Sequence, residues 1–336
     1  MGIMLDEYDI GIAFGVERMG PILPEGGDRR GGGAKPTRIQ GPHPKGREQT
    51  KEQRDMAPDH FDYFSVPIPD YLLDSPVGQS MTQTGQNVVE MYNLSREEMD
   101  AFALRSHQKL AAAYDAGFYK DEVVPLEVEK PVFDENGVWV EEEKGPMILF
   151  DEDECLRRDT SMEKLAKLKP VAGIVSYGGH SLEITAGNSC LRNAGVSATL
   201  LMSEEMAIKL RLEPMARIIG IGNGGVKQQI MGMGPVVSTK KALKRYGLEP
   251  DQIDRVEFNE AFACQVIASL REIGIPEERV NVNGGSCGIG HPIGATGSRL
   301  VMTVCRELRR SGKRYGICTQ CCGHGEGATT LFERMD

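Results

Sequence analysis

Residues 280–297 read VNVNGGSCGIGHPIGATG, and the rest of the chain takes its meaning from them. Val280 and Val282 end a short strand. Glycines follow at 284, 285, 288, 290, 294 and 297, and His291 sits among them, clamped by Pro292 just ahead of an amphipathic helical pattern. Glycine lets backbone come close to another group, and a helix start offers exposed N–H donors. A lone histidine is commonly structural, but one in a glycine-rich strand-to-helix loop is a candidate for acid–base chemistry.

Outward from this stretch, strand and helix patterns alternate. Strands are predicted at Ala216–Gly222, Arg255–Phe258, Val280–Val282, Arg314–Thr319 and Ala328–Phe332, and helices at Ser238–Tyr246, Ala261–Ile273 and Ala295–Ser311. Such alternation predicts an α/β fold whose sheets are rich in parallel pairs and carry helices on both faces. Ligands of such sheets sit at the carboxyl ends of the strands. The strand at 255–258 delivers Asn259 and Glu260 into a helix. Asn259 suits either donation of its amide to a ligand oxygen or held water, or capping of that helix. The strand at 314–319 runs into QCCGHGEG, residues 320–327, where the Cys321 thiol is a nucleophile or acid–base candidate if an imidazole lies near.

Two rival readings attach to these motifs. Cys318, Cys321, Cys322 and His324 suggest zinc, but no second Cys/His pair stands at ligand spacing, and no metal is expected. Gly220–Gly225 fits GxGxxG after a strand. The next residues, VKQQIMGMGP at Val226–Pro235, break before a full helix, and no acidic residue closes a next strand, so a dinucleotide site is not expected.

Upstream, YDIGIAFGV at Tyr8–Val16 predicts a short buried strand. Between Gly26 and Asp55, eight Lys/Arg stand against four acids, either an anion-binding loop or a solvated one. Ser95, with Glu98 three residues on, predicts a helix start, and Gly117 its end. Residues 126–150 predict a hairpin turning at Asn136–Gly137.

With 39 Lys plus Arg against 49 Asp plus Glu, the net charge of the 336 residues is −10, the wrong field for a general nucleic-acid binder. No stretch approaches the ~20 apolar residues of a membrane span. The first residues carry Asp6, Glu7 and Asp9 without a basic region, unlike a signal peptide. The 8 cysteines lack the spacing of a disulfide scaffold, so a reducing, cytoplasmic setting is expected.

At its three strand ends the sequence resembles the thiolases. The matching phrases are NEAFA at Asn259–Ala263, NVNGG with GHPIGATG at Asn281–Gly297, and Cys-x-Gly-x-Gly-x-Gly at Cys321–Gly327. The resemblance extends to SREEMDAFALRSH from Ser95, ITAGN at Ile184–Asn188 and LLMSEE at Leu200–Glu205, and favours the acetyl-CoA acyltransferases over the sterol-carrier and synthase branches. It implies an acyl-CoA acyltransferase that makes or cleaves 3-ketoacyl-CoA, with acyl-CoA and coenzyme A as substrates and no cofactor. It implies that His291 activates a nucleophilic thiol and, with a water held by Asn259, forms an oxyanion hole. By the same resemblance Cys321 moves the proton at the α carbon, and the Gly323 N–H belongs to a second oxyanion hole. Met81, Ser189 and Cys190 fall in its coenzyme A-binding segments. The implied plan is a remnant N-terminal domain (1–20 and 191–213), a loop domain (21–190) and a C-terminal domain (214–336), in a homo-oligomer or with a second chain.

The sequence also departs from the family. Cys190, Leu191, Arg192, Asn193 and Ala194 replace a Ser-Gly pair and the Leu-Asn-Asp after it; Ser80 replaces a histidine before Met81; His324 replaces a glycine. The family's acylated cysteine lies in a Cys-Gly-Ser-Gly type turn that this sequence does not contain. The expectation is therefore an incomplete N-terminal half-domain, its cysteine supplied elsewhere. The alternative is a non-catalytic thiolase-like subunit, or truncated remnant, that binds acyl-CoA or a partner chain.

Overall fold

The computed structural model describes residues 3, 7–18, 68–73, 75, 79–134 and 139–335. The basic stretch 26–55 and the Asn136–Gly137 turn lie outside them. In chain order the elements are β1 (Ile10–Arg18), α1 (Asp70–Leu73), α2 (Met81–Tyr92), α3 (Arg96–Asp115), β2 (Leu126–Phe133), β3 (Trp139–Phe150), α4 (Met162–Ala166), β4 (Ala194–Met202), α5 (Glu204–Leu210), β5 (Ala216–Gly225), α6 (Gly234–Tyr246), β6 (Arg255–Phe258), α7 (Ala263–Ile273), α8 (Ser286–Ile289), α9 (Ile293–Ser311), β7 (Tyr315–Cys322) and β8 (Glu326–Arg334). They sort into two units: the hairpin β2–β3, within residues 123–152, and the rest. In the hairpin, Leu126 pairs with Phe150 and Phe133 with Trp139, with register shifts either side of Pro131, where a ladder donor is missing.

The main sheet of the larger unit has the order β5-β8-β7-β6. Along β7, side chains alternate between two helical layers. Thr319 lies opposite Thr329, which pairs with Gly222, and this row meets Ser238 and Thr239 of α6 through hydroxyl contacts of 2.8–3.4 Å. A Cβ on Gly222 would fall 2.3 Å from the Ser238 carbonyl oxygen; the glycine of the GxGxxG match is there to let α6 settle on β5. On the other face Cys318 and Phe332 pack with Leu300, Val304, Cys305 and Leu308 of α9. Helices thus cover both faces, as expected.

The expectation of mostly parallel pairing is corrected. Only β6 and β7 run parallel in this sheet; β7–β8 and β5–β8 are antiparallel. The connection from β7 to β8 is Gly323–Gly325, too short for the crossover that a parallel pair requires. The strand expected at Val280–Val282 is also absent, apart from a single bridge between Val256 and Val280. Asn281 has a left-handed φ of 45°, and its side chain takes over the pairing, accepting from Phe258 N–H (2.7 Å) and donating to Phe258 O (2.9 Å).

β1 and β4 form a nine-pair antiparallel ribbon, Ile10 opposite Met202 through Arg18 opposite Ala194. One side lies on α9: a Cβ on Gly15 would fall 1.9 Å from Gly294 O, and Ser197 Oγ donates to Ala295 O. The other side carries Ile10, Ile12, Phe14, Val16, Val196 and Leu200, all exposed, with Ile12 at 69% and Phe14 at 64%. The reading of Tyr8–Val16 as a buried strand therefore fails on this side. Alternation gives a strand two faces, and α9 covers one.

The helix at Ser95 forms where its capping residues place it. Ser95 Oγ accepts from Glu98 N–H (3.1 Å), and α3 runs to Asp115, with Gly117 just beyond at φ 74°. Among the described residues no helix is long and apolar enough to cross a membrane.

Candidate active site at the ends of β6 and β7

The carboxyl ends of β6 and β7 bring Asn259, His291 and Cys321 into one region. Asn259 N–H donates to Thr319 O (3.0 Å), continuing the β6–β7 pairing by one residue. It does not cap α7, whose N-cap position is Phe262 without a side-chain cap. Instead its fully buried carboxamide faces the glycine-rich loop. Oδ1 accepts from Ser286 Oγ (2.7 Å), and Nδ2 lies 3.3 Å from His291 Nε2. His291 N–H donates to Leu191 O (2.9 Å), and Nδ1 is 2.7 Å from Thr296 Oγ1. Burial pulls the imidazole pKa down to about 4; the Arg299 charge adds to the fall, and Glu17 opposes it. The ring is neutral at physiological pH.

Glu260, beside Asn259, anchors the loop. Its carboxylate accepts from Ser106 Oγ (2.6 Å), Asn281 Nδ2 (2.6 Å) and Cys287 N–H (2.9 Å). A Cβ on Gly285 would fall 2.2 Å from its carboxyl carbon, so the loop can close on the carboxylate only with glycine there.

Cys321 lies two residues beyond Thr319 on β7 and pairs with Gly327. It is buried, and burial pushes its thiol up to about 12; negative charge on Cys322 and Cys190 would act in the same direction, and the residue's own N–H and the Gln265 amide act against it. The buried Gln265 carboxamide lies beside the Cys321 thiol and makes no well-formed hydrogen bond. Cys190 N–H donates to Ala261 O (3.0 Å), so the segment Cys190–Leu191 is tied both to the end of β6 and to His291. Ser189 forms a bridge with Phe262, and its hydroxyl donates to Thr185 O (2.6 Å). Asn188 secures this segment by donating to the buried Asp100 (3.0 Å). At Gly323 no atom lies within 4 Å of where a Cβ would stand. His324 adopts a left-handed φ of 66°, with Nδ1 3.3 Å from Gln228 Nε2; glycine takes such a backbone conformation without strain. Met81 stands apart, exposed at the head of α2, which Ser80 caps.

The family model described as "Thiolase, N-terminal domain" matches residues 1–205, and that described as "Thiolase, C-terminal domain" matches residues 212–334. The chain belongs to the thiolase family. It is 42% identical over 267 residues to the beta-ketoadipyl-CoA thiolase of Pseudomonas putida, covering 79% of this chain and 62% of that one. To the 3-ketoacyl-CoA thiolase of Bacillus subtilis it is 40% identical over 254 residues, 76% of this chain and 62% of the relative. The chain thus spans about three fifths of the length of these curated relatives. Among solved structures it is similar to the Bacillus anthracis acetyl-CoA acetyltransferase, with a TM-score of 0.75 at 33% identity, covering 100% of this chain and 74% of that one. It is also similar to human mitochondrial 3-ketoacyl-CoA thiolase in complex with CoA, with a TM-score of 0.73 at 30% identity, covering 99% and 73% of the two chains. The expectation that the N-terminal part is lacking finds no support, because the N-terminal family model matches from residue 1.

The sequence motifs locate Asn259, His291 and Cys321 but miss the side chains that hold them. Ser286 and Thr296 carry no signal beyond that of small residues in and after a glycine-rich loop. Arg299, on α9, pairs with the buried Glu257 (3.1 Å) and reaches Ser286 Oγ (3.2 Å). No linear spacing signals that contact, since it joins the third residue of β6 to the second turn of α9. Gln265 is six residues past Asn259, and only the fold makes it a neighbour of Cys321.

Proposed function

We propose that the chain carries out thiolase chemistry, exchanging an acyl group between coenzyme A and an enzyme thiol so as to make or cleave a 3-ketoacyl-CoA. The observation that carries this is the meeting of Asn259 and His291 at 3.3 Å where β6 ends, with Cys321 two residues along the paired strand. In cleavage, the acyl group passes to a thiol while acetyl-CoA leaves, and the second half-reaction returns the acyl group to coenzyme A. His291 Nε2 takes the proton from the attacking thiol and, once protonated, donates to the thioester oxygen. Cys321 supplies the proton to the acetyl α carbon in cleavage and removes it in condensation. Gly323 N–H stabilises the oxyanion of the acyl-enzyme. Met81, Ser189 and Cys190 are assigned to binding of coenzyme A thioesters, and the chemistry calls on no further cofactor.

A cleft of about 280 Å³ is lined by His107, Arg157, Arg158, Thr160 and Asp115; Asp115 pairs with Arg158 (2.9 Å), so Arg157 is the charge it offers an anionic substrate. It reaches the back of the glycine-rich loop, since a Cβ on Gly288 would lie 3.4 Å from His107 Nδ1. The reading includes an oligomer, supported by the uncovered apolar side of β1–β4, and residence in the cytoplasm. A second reading, a non-catalytic acyl-CoA-binding subunit, is favoured by one observation: burial raises the pKa of Cys321, and of Cys190 beside it, to about 12.

Incubation with acetoacetyl-CoA and coenzyme A separates the two. The enzyme reading expects acetyl-CoA to accumulate, with His291→Ala and Cys321→Ala each reducing the rate by about 100-fold or more. Binding without acetyl-CoA formation would establish the second reading.

A further inference from the structure

A one-way chain of hydrogen bonds runs from a buried ion pair to His291. Arg299, paired with Glu257, donates from Nη2 to Ser286 Oγ (3.2 Å). The Ser286 hydroxyl proton then goes to Asn259 Oδ1 (2.7 Å). That fixes which way the carboxamide faces, with Nδ2 turned to His291 Nε2 at 3.3 Å. An amide nitrogen donates and cannot accept, so Nε2 carries a lone pair. On the other side of the ring, Thr296 gives its proton to Pro292 O (2.9 Å), which leaves Oγ1 to accept from Nδ1 at 2.7 Å. Both edges of the imidazole specify one state: neutral, with hydrogen on Nδ1 and an unprotonated Nε2 whose lone pair accepts from Asn259 Nδ2.

We propose that Ser286 and Thr296 are positioning residues that lock His291 in the Nδ1–H tautomer, so that Nε2 is unprotonated and can take a proton from a thiol that displaces the Asn259 amide from its lone pair. The use of Nε2 as a base rests on the acyl-transfer reading; the tautomer lock does not. The opposite tautomer requires the Asn259 carboxamide to turn over. Nδ2 would then approach a hydroxyl oxygen already taking a hydrogen from Arg299, and the hydroxyl proton would lose Oδ1 as its acceptor. The charges that bear on the ring are Arg299, two turns along α9's face, and Glu17 from β1, which accepts from Gly294 N–H (3.2 Å). Arg299 resists protonation of His291, and Glu17 favours it.

The test is long-range ¹H–¹⁵N correlation on the full chain labelled at its 6 histidines, with the His291 signals assigned by their loss in His291→Asn. At neutral pH the wild type is expected to show the Nδ1–H pattern for His291. Ser286→Ala frees Asn259 to turn, so an Nε2–H population should appear and the apparent pKa should rise by about one unit. Ser286→Thr keeps the hydroxyl and should restore the wild-type pattern. Thr296→Val removes the Nδ1 acceptor and should likewise admit Nε2–H, which provides an independent arm if Ser286→Ala does not fold. An Nε2–H tautomer in the wild type would overturn the proposal, as would an unchanged tautomer and titration in the variants. Failure of acyl transfer with an intact Nδ1–H signature would sink the catalytic reading and leave the lock standing.

Discussion

Acidification should cost this protein stability through His291 in a way that one substitution reveals. In the folded chain the imidazole pKa is held down at about 4, chiefly by burial. In the unfolded chain it returns to about 6.5. The unfolded state therefore binds the proton first as the pH falls, so the stability due to a neutral His291 is present above about pH 6.5 and is lost on the way down to about pH 4. Near pH 4.5, about two units below the unfolded value, linkage gives a loss of about 2.5 kcal/mol from this one group. Other groups titrate over the same range. His107, also held at about 4 by burial and by Arg157, has the same sign, whereas Glu257, raised to about 8 by burial, has the opposite one. Both are shared by wild type and His291→Asn, so the difference between the two proteins isolates His291. Urea unfolding at about pH 7 and about pH 4.5 should show the wild type losing about 2.5 kcal/mol more than the variant over this interval. Parallel pH profiles would refute the argument, because they would mean that His291 is protonated as readily in the fold as in water.

Three further substitutions test how the site is built. Gly294→Ala places a Cβ 2.3 Å from Val16 O, and the forced separation of α9 from β1 should cost about 2–3 kcal/mol in denaturant unfolding. Glu260→Gln turns an amide toward Asn281 Nδ2, Ser106 Oγ or Cys287 N–H, all of which donate to the carboxylate; a loss of about 2–4 kcal/mol is expected, and a neutral substitution would show that the carboxylate does not anchor the loop. Phe14→Lys, in the middle of the uncovered apolar side of β1, should weaken self-association, measured as a fall in mass by light scattering, and an unchanged mass would show that this side is not the interface of an oligomer.

Much of the larger unit is legible in the sequence, for local reasons. The Ser95 cap and the periodic apolar positions behind it specify α3 whatever surrounds them, and Arg255–Phe258 is a strand both by pattern and in the fold. Where the sequence pattern misleads, the deciding partner is remote along the chain. Val280–Val282 has the composition of a strand, but the Asn281 side chain occupies the hydrogen-bonding groups of Phe258 that a strand would have used. The direction of β8 depends on how short the Gly323–Gly325 connection is, which strand–helix alternation does not record.

The sequence by itself determined the family chemistry on offer: a neutralisable histidine in a glycine-rich loop, an asparagine at a strand end and a cysteine at the next. Residue type and spacing along one chain are enough for that, because each motif is continuous. Tertiary structure decided what state those groups are in. The proton position on His291 is set by Thr296 on one edge and by Asn259, Ser286 and Arg299 on the other. The elevated thiol pKa of Cys321 comes chiefly from burial in the core that β7 shares with α7. Protonation depends on solvation and on donors and acceptors within a few ångströms, and those neighbours are assembled by folding from segments far apart in the chain.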